Sequence, residues 1–344
     1  MFNFREYFFK KKRVVLIASA ALILLAALGI ERALNSSIAN IENTVYLYVD
    51  NDDTIDSLQA KVAHLSGKEH VIFNCLTDCF DFKVRAGRYK IVPKQGVLST
   101  VLMLKRGQQS PTKLLIPTGW TIEGIASKIC HQLMIDSAEF MNCVNDSATL
   151  KLLQCDKENL AARFIPNTYE VWWNTSAIGL LKRISREYNL FWNDERKQKA
   201  ADIGLTPDEV STLASIVCRE MNDTQEMPII AGVYYNRLKR RMPLQSCPTV
   251  IFARQDFKLT RLTNPMLPDS PYNTYRYAGL PPGPICIPTI KSIDAVLNMP
   301  KHKYIYMCAR EDFSGKHNFS ATYSEHQRYA KKYQRAYKKR FGNR

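Results

Sequence analysis

The stretch VVLIASAALILLAALGI, Val14 to Ile30, is seventeen consecutive apolar or small residues without a charge. As a helix rising 1.5 Å per residue it covers roughly 26 Å, near the lower limit for crossing a bilayer. Lys10, Lys11, Lys12 and Arg13 precede it directly. Cations at that border hold an N-terminus in the cytoplasm and send the C-terminal remainder of a chain across. A cleaved signal peptide competes with this reading, but the run is long for a signal's apolar core and no small-x-small cleavage site follows. The sequence therefore predicts a cytoplasmic tail at 1–13, a single transmembrane anchor at 14–34 in the inner membrane, and a body in the periplasm.

Charge supports that division. The 344 residues carry a formal net charge of +16, a value that could suggest a nucleic-acid binder. Residues 1–13 hold five Lys/Arg and one acid, and residues 326–344 hold eight Lys/Arg and no acid. Between them 35 basic and 31 acidic residues nearly cancel, so an exported, near-neutral body argues against a nucleic-acid partner. Nine cysteines, scattered and odd in number, do not form a dense disulfide framework. Cys75 and Cys79 are four apart with no His beside them, and neither a metal site nor a cofactor is expected.

Local patterns predict an α+β chain. VYLYVDNDDTIDSLQAKVAHL (45–65) resembles KLLIPTGWTIEGIASKICHQL (113–133) when Thr54 is set on Thr121. Each reads as a strand, a polar turn and a helix opening at Thr-Ile-acid, as a helix N-cap requires. Between them, DFKVRAGRYKIVP suggests a strand pair around a Gly, and VLSTVLMLKRG a short helix closed by Gly107. This plan resembles a LysM-like module, a type that often holds glycan, and the region is set at 43–165. Two α+β units packed on the rest of the chain are an equal alternative. Beyond it, helices are predicted at 176–202, 206–221 (Thr206 as cap, Pro207 at the first position) and 227–241. The tail 326–344 reads as a basic helix with Tyr329, Tyr333 and Tyr337 along one side. Its Lys/Arg face is read as solvated, with anionic lipid or peptide carboxylates as the second choice.

LASIVCREMN, AGVYYNRLKRRMPLQSCPTVIFA, SPYNTYRYAGLPPGPICIPTIKSIDAVLN and YMCAREDFSGKHNFSATYSEH resemble, in order and spacing, the signature blocks of the YceG/MltG family of endolytic murein transglycosylases. IPNTYEVWWNTS (165–176) is similar to the segment leading into that family's catalytic domain, here 166–325. The resemblance implies a mainly helical catalytic domain with short strands and long Pro/Gly/Tyr-rich loops. It implies cleavage of the bond between N-acetylmuramic acid and N-acetylglucosamine in nascent peptidoglycan, beside the inner membrane and possible cell-wall synthases. The muramic acid's own 6-hydroxyl attacks C1 and leaves a 1,6-anhydro end, so one Glu can serve as acid and then base.

By the same resemblance, the catalytic Glu position is Cys218 and a second family Glu is Glu220. A thiol with a reference pKa near 8.5 is a poor general acid, and Glu220 becomes the only nearby candidate. At 100° per residue, Glu220 should point about 200° away from Cys218. Cys247 stands where the family's LQxDPTV block has Asp, and the two thiols are either paired or drifted. Asn236, Arg237, Gln245, Thr249, Asn273, Tyr275 and Asn318 can hydrogen-bond glycan hydroxyls, amides and carboxylates. Gly279 with Pro281–Pro284 should shape a groove floor. The expectation is a helix over at least 208–217, with Cys218 in its last turn facing a groove lined by Asn236, Gln245 and Asn273. A glycan-binding scaffold without catalysis is the alternative.

Overall fold

The structure, a computed structural model, describes residues 4–79, 81–119, 121–258 and 268–342; the extreme ends of both predicted tails, 1–3 and 343–344, lie outside the described residues. The chain is mixed and mostly helical, and it packs as two units. The first comprises residues up to Thr112 together with Glu170–Asn174, and the second Lys113–Tyr169 with Thr175 onward.

The first unit opens on α1 (Phe4–Leu34). Within it, Lys11–Leu34 is long and apolar enough to span a membrane and buries none of its most apolar window in the protein. An apolar helix with side chains such as Leu16, Ile17 and Leu22 exposed on all sides suits a lipid solvent. The order is then β1 (Val45–Val49), α2 (Ile55–Ser66), α3 (Val71–Cys79), β2 (Gly87–Ile91) and α4 (Val97–Arg106). Strand alternation works as expected: Leu47 and Val49 turn into the core while Tyr46 and Tyr48 stay exposed. The strand pair predicted around Gly87 is a single strand, because β2 pairs antiparallel with distant β1 (Val45↔Ile91, Leu47↔Tyr89). Phe73, Tyr89, Ile91 and Val101 fill the space between this sheet and the helices.

The second unit takes in β3 (Thr112–Ile116) from Lys113 on, α5 (Ile122–Cys130), α6 (Ser137–Asn145), α7 (Ser147–Leu152), α8 (Leu160–Arg163), β4 (Asn167–Val171) as far as Tyr169, and α9 (Ala177–Phe191). It continues with α10 (Asp194–Asp202), α11 (Pro207–Glu220), α12 (Met227–Lys239), α13 (Cys247–Arg254), α14 (Ile290–Leu297), β5 (Tyr306–Ala309), β6 (His317–Ser320) and α15 (Tyr323–Phe341). The two resembling segments share their local design. Thr54 caps α2 and Thr121 caps α5 through the same bond from the third following amide, although the second copy packs with the second unit. The helix predicted over 176–202 is two helices. Asn193 takes an extended conformation and its side chain accepts from the Arg196 amide, capping α10 and breaking the helical backbone after α9.

At the centre lies α11. Thr206 and Glu209 form a reciprocal capping box with Pro207 inside it. Every residue from Val210 to Val217 is buried, so the helix has no solvated face along that stretch. Its buried hydroxyls bond back along the helix: Ser211 to Pro207 O (2.9 Å), Thr212 to Asp208 O (2.8 Å) and Ser215 to Thr212 O (2.7 Å). At the N-terminal end Asp208 receives the buried guanidinium of Arg163 and the Tyr188 hydroxyl (2.9 Å).

Candidate active site

The helix runs through Cys218 without a break and ends at Glu220. Rotation therefore separates the two side chains, as the 200° argument requires. Glu220 enters a cavity of about 420 Å³ that Arg237, Gln245, Cys247, Tyr275 and His317 also line. Cys218 is not among the residues lining it. Its thiol meets Cys286, with the Thr289 backbone and the Thr118 hydroxyl beside it. The expected groove position of Cys218 is thus taken by Glu220, and the reason is helix phase.

Glu220 Oε2 is closed off from solvent and has no hydrogen-bond partner. Burial pushes the carboxyl above its ordinary value; His317, Tyr234, Ser246 and Arg237 oppose this without cancelling it. A carboxyl whose pKa is raised at the wall of a cavity suits the role of general acid. Tyr234 is fully buried next to it, with its own hydroxyl driven well up by burial and by the Glu220 charge. Across helix α12, Tyr234 and Arg237 are three apart and share a face. Arg237 is held rigidly: Nε donates to Ile305 O (2.7 Å) and Nη1 to Leu244 O (2.7 Å).

The loop before α13 is locked to the segment around Thr274. Gln245 N donates to Thr274 O (3.0 Å), Ser246 N to Thr274 Oγ1 (3.0 Å), and the Thr249 and Thr274 hydroxyls bond at 2.8 Å. Gln245 sits at φ 53°, a left-handed conformation that a non-glycine residue holds only under constraint. This lock brings Gln245, Cys247 and Tyr275 to the cavity, and the Cys247 Sγ to Tyr275 hydroxyl distance is 3.2 Å. Cys218 and Cys247 are not joined: each is a free thiol with a different neighbour. Thr249 and Asn273 build the lock from inside. Asn273 is fully buried, its Nδ2 donating to Pro268 O (3.0 Å) and its Oδ1 accepting from Tyr275 N (3.1 Å). Asn236 ties α12 to the carbonyls of His302 (2.8 Å) and Tyr304 (2.9 Å). Asn318 donates to Glu311 (3.0 Å).

Sequence reasoning passed over Tyr234, Ser246, Glu226, His317 and His326. His317 stood one residue from Asn318, and strand alternation turns the two to opposite faces of β6. Glu226, 6% exposed, accepts the His317 backbone N–H (3.1 and 3.2 Å) and meets ring Nδ1 at 3.0 Å. His326 stacks on Tyr306, and burial lowers its pKa. Among the described residues no cluster of His, Cys, Asp or Glu has the makings of a metal site.

The sequence profile of the YceG-like family matches residues 47–332, most of the chain. The chain belongs to that family. It is 34% identical over 163 residues to an endolytic murein transglycosylase of Bacillus subtilis, covering 46% of this chain and 44% of that protein. It is 28% identical over 284 residues to the endolytic murein transglycosylase of Streptococcus pneumoniae strain R6, covering 71% and 50%. This YceG-like chain thus spans about half the length of the curated relatives it matches. A crystal structure of a YceG-like protein from Listeria monocytogenes shares its fold, with TM-score 0.57, 24% identity, and coverage of 84% of this chain and 99% of that one.

Proposed function

We propose that this chain is a membrane-anchored endolytic murein transglycosylase with Glu220 as its acid. The single observation that carries the reading is the Glu220 carboxyl, its pKa raised by burial, at the wall of a cavity lined by hydrogen-bonding side chains. Glu220 gives its proton to the oxygen leaving N-acetylmuramic acid. The 6-hydroxyl of the same sugar closes on C1, and its proton passes to a base in the cavity. Because the nucleophile is part of the substrate, no second carboxylate has to activate water. Arg237, Gln245 and Tyr275 are the side chains placed to bind glycan or its carboxylates; Asn236, Thr249, Asn273 and Asn318 support them through the loops. On this reading residues 43–165 hold glycan as a LysM-like region, 166–325 cut it, and α1 keeps the body on the periplasmic face near the cell-wall synthases.

Full-length protein in detergent, incubated with purified murein, tests this. The expected products carry 1,6-anhydro ends, and Glu220→Gln lowers their rate by about 10²–10⁴-fold. Reducing ends in place of anhydro ends, or an undiminished Glu220→Gln, would refute it. A second reading, a glycan-binding scaffold without catalysis, draws on Cys247, which stands in the cavity where the family resemblance calls for an acid. Murein bound but uncut by the parent would favour it.

A further inference from the structure

In the one-carboxyl mechanism that the family resemblance implies, the Glu220 carboxylate left by the first transfer takes the 6-hydroxyl proton; the surroundings of Glu220 offer a second acceptor. Glu226 closes the segment between α11 and α12 and occupies the N-cap position of α12. A carboxylate there would ordinarily bond the free amides of the first turn. This one makes no such bond and reaches β6 instead, 91 residues along the chain. There it accepts the His317 backbone N–H with both oxygens and meets ring Nδ1 at 3.0 Å. A carboxylate fixed at Nδ1 keeps the proton on that nitrogen, which leaves Nε2 as the basic nitrogen of the neutral ring. It also stabilises the imidazolium that forms when Nε2 takes a proton, as the third member of a hydrolase triad does. His317 lines the same cavity as Glu220.

We propose that His317 is the catalytic base that takes the C6 hydroxyl proton, with Glu226 as its positioning residue. The assignment rests on the transglycosylase reading. Acid and base then come from two different elements, the end of α11 and strand β6, so one carboxyl does not have to serve both oxygens in turn. The step balances without water. Glu220 gives its proton to the glycosidic oxygen as the bond from C1 breaks, O6 bonds to C1, and the O6 proton moves to Nε2. The products are a Glu220 carboxylate and a His317 imidazolium, and return of the proton from ring to carboxylate resets both.

The test uses the full-length chain on purified murein, with anhydro ends counted per unit time. His317→Ala should lower turnover by about 10²-fold or more while murein binding stays near the parent's. Imidazole in the buffer should restore part of that loss in His317→Ala and none in Glu220→Gln. Glu226→Gln should be slowed less and should ignore imidazole, since its ring is present but poorly held. Should His317→Ala fail to fold, His317→Gln keeps an N–H for Glu226 and removes the basic nitrogen, and the same loss is expected. His317 variants within about threefold of the parent, beside an inactive Glu220→Gln, overturn the assignment and leave the transglycosylase reading intact. So does a folded, murein-binding His317→Ala that imidazole does not rescue. A parent that yields no anhydro ends overturns both.

Discussion

At 100° per residue, two positions along a helix turn a side chain through about 200°, so Cys218 and Glu220 leave α11 on nearly opposite sides. That angle was readable from the sequence, but which side held the cavity was not, because the cavity is assembled from α12, β5, β6 and loops far along the chain. The phase of these two residues has measurable consequences. Glu220 titrates above the ordinary 4.5, so the folded state keeps this proton over a range in which the unfolded chain has released it. The stability so gained is complete below about 4.5 and is lost as pH rises through the folded-state value. Gln cannot ionise. Urea titrations should therefore show Glu220→Gln equal to the parent in acid and more stable than the parent above neutrality; a difference that shrinks with rising pH would contradict this. Cys218, by contrast, is a thiol lowered to about 6, chiefly by its hydrogen bond with Cys286, against the pull of burial. Cys218→Glu would push a larger anion toward the buried Cys286, away from the cavity. Lytic turnover on murein should stay at or below the parent's, and a marked gain would return the catalytic position to residue 218.

The elements that were legible share short-range causes. The capping box of α11, the Thr caps of α2 and α5 and the closure of α4 at Gly107 each depend on residues within a few positions. Phase on β6 depends on pairing, and the choice of Asn318 misses the inward-facing His317 by one residue. The Gly279–Pro284 block reads as a rigid turn in sequence, and the structure gives its two glycines different work. Gly279 adopts φ +100°, which a side chain would strain, whereas at Gly283 an added Cβ would lie 2.0 Å from the backbone oxygen of Glu158. Nothing in the sequence marks that approach. At the other end of α11, Arg163 is 4% exposed and Asp208 holds it. Asp208→Ala would leave a buried cation without its carboxylate, a loss of about 3–5 kcal/mol. Calorimetry should register a large fall in melting temperature, and a fall of only a degree or two would place the guanidinium in reach of water.

For the whole molecule, the location of the cavity matters more than its size. Glu220, Arg237, Gln245, Cys247, Tyr275 and His317 all belong to the second unit, and the membrane-compatible helix α1 belongs to the first. The basic residues of the two tails are likewise outside the nearly neutral stretch that builds the site, so net charge says more about surroundings than about chemistry. Anchor and chemistry should then be separable. A chain lacking residues 1–34 keeps Ile38 and Val97, whose amides bond Gln95 O (2.8 Å) and Ser36 O (2.9 Å) and seat the chain against the start of α4. It should fold, stay soluble after carbonate extraction, and release anhydro-ended fragments from purified murein at a rate within a few-fold of the parent. On intact cells the same chain, exported behind a cleavable signal, should act less on nascent strands, the outcome expected from the proposed role of α1 as an anchor. If truncation instead abolishes turnover on purified murein, the anchor is part of the catalytic fold, and the separation drawn between the two units fails.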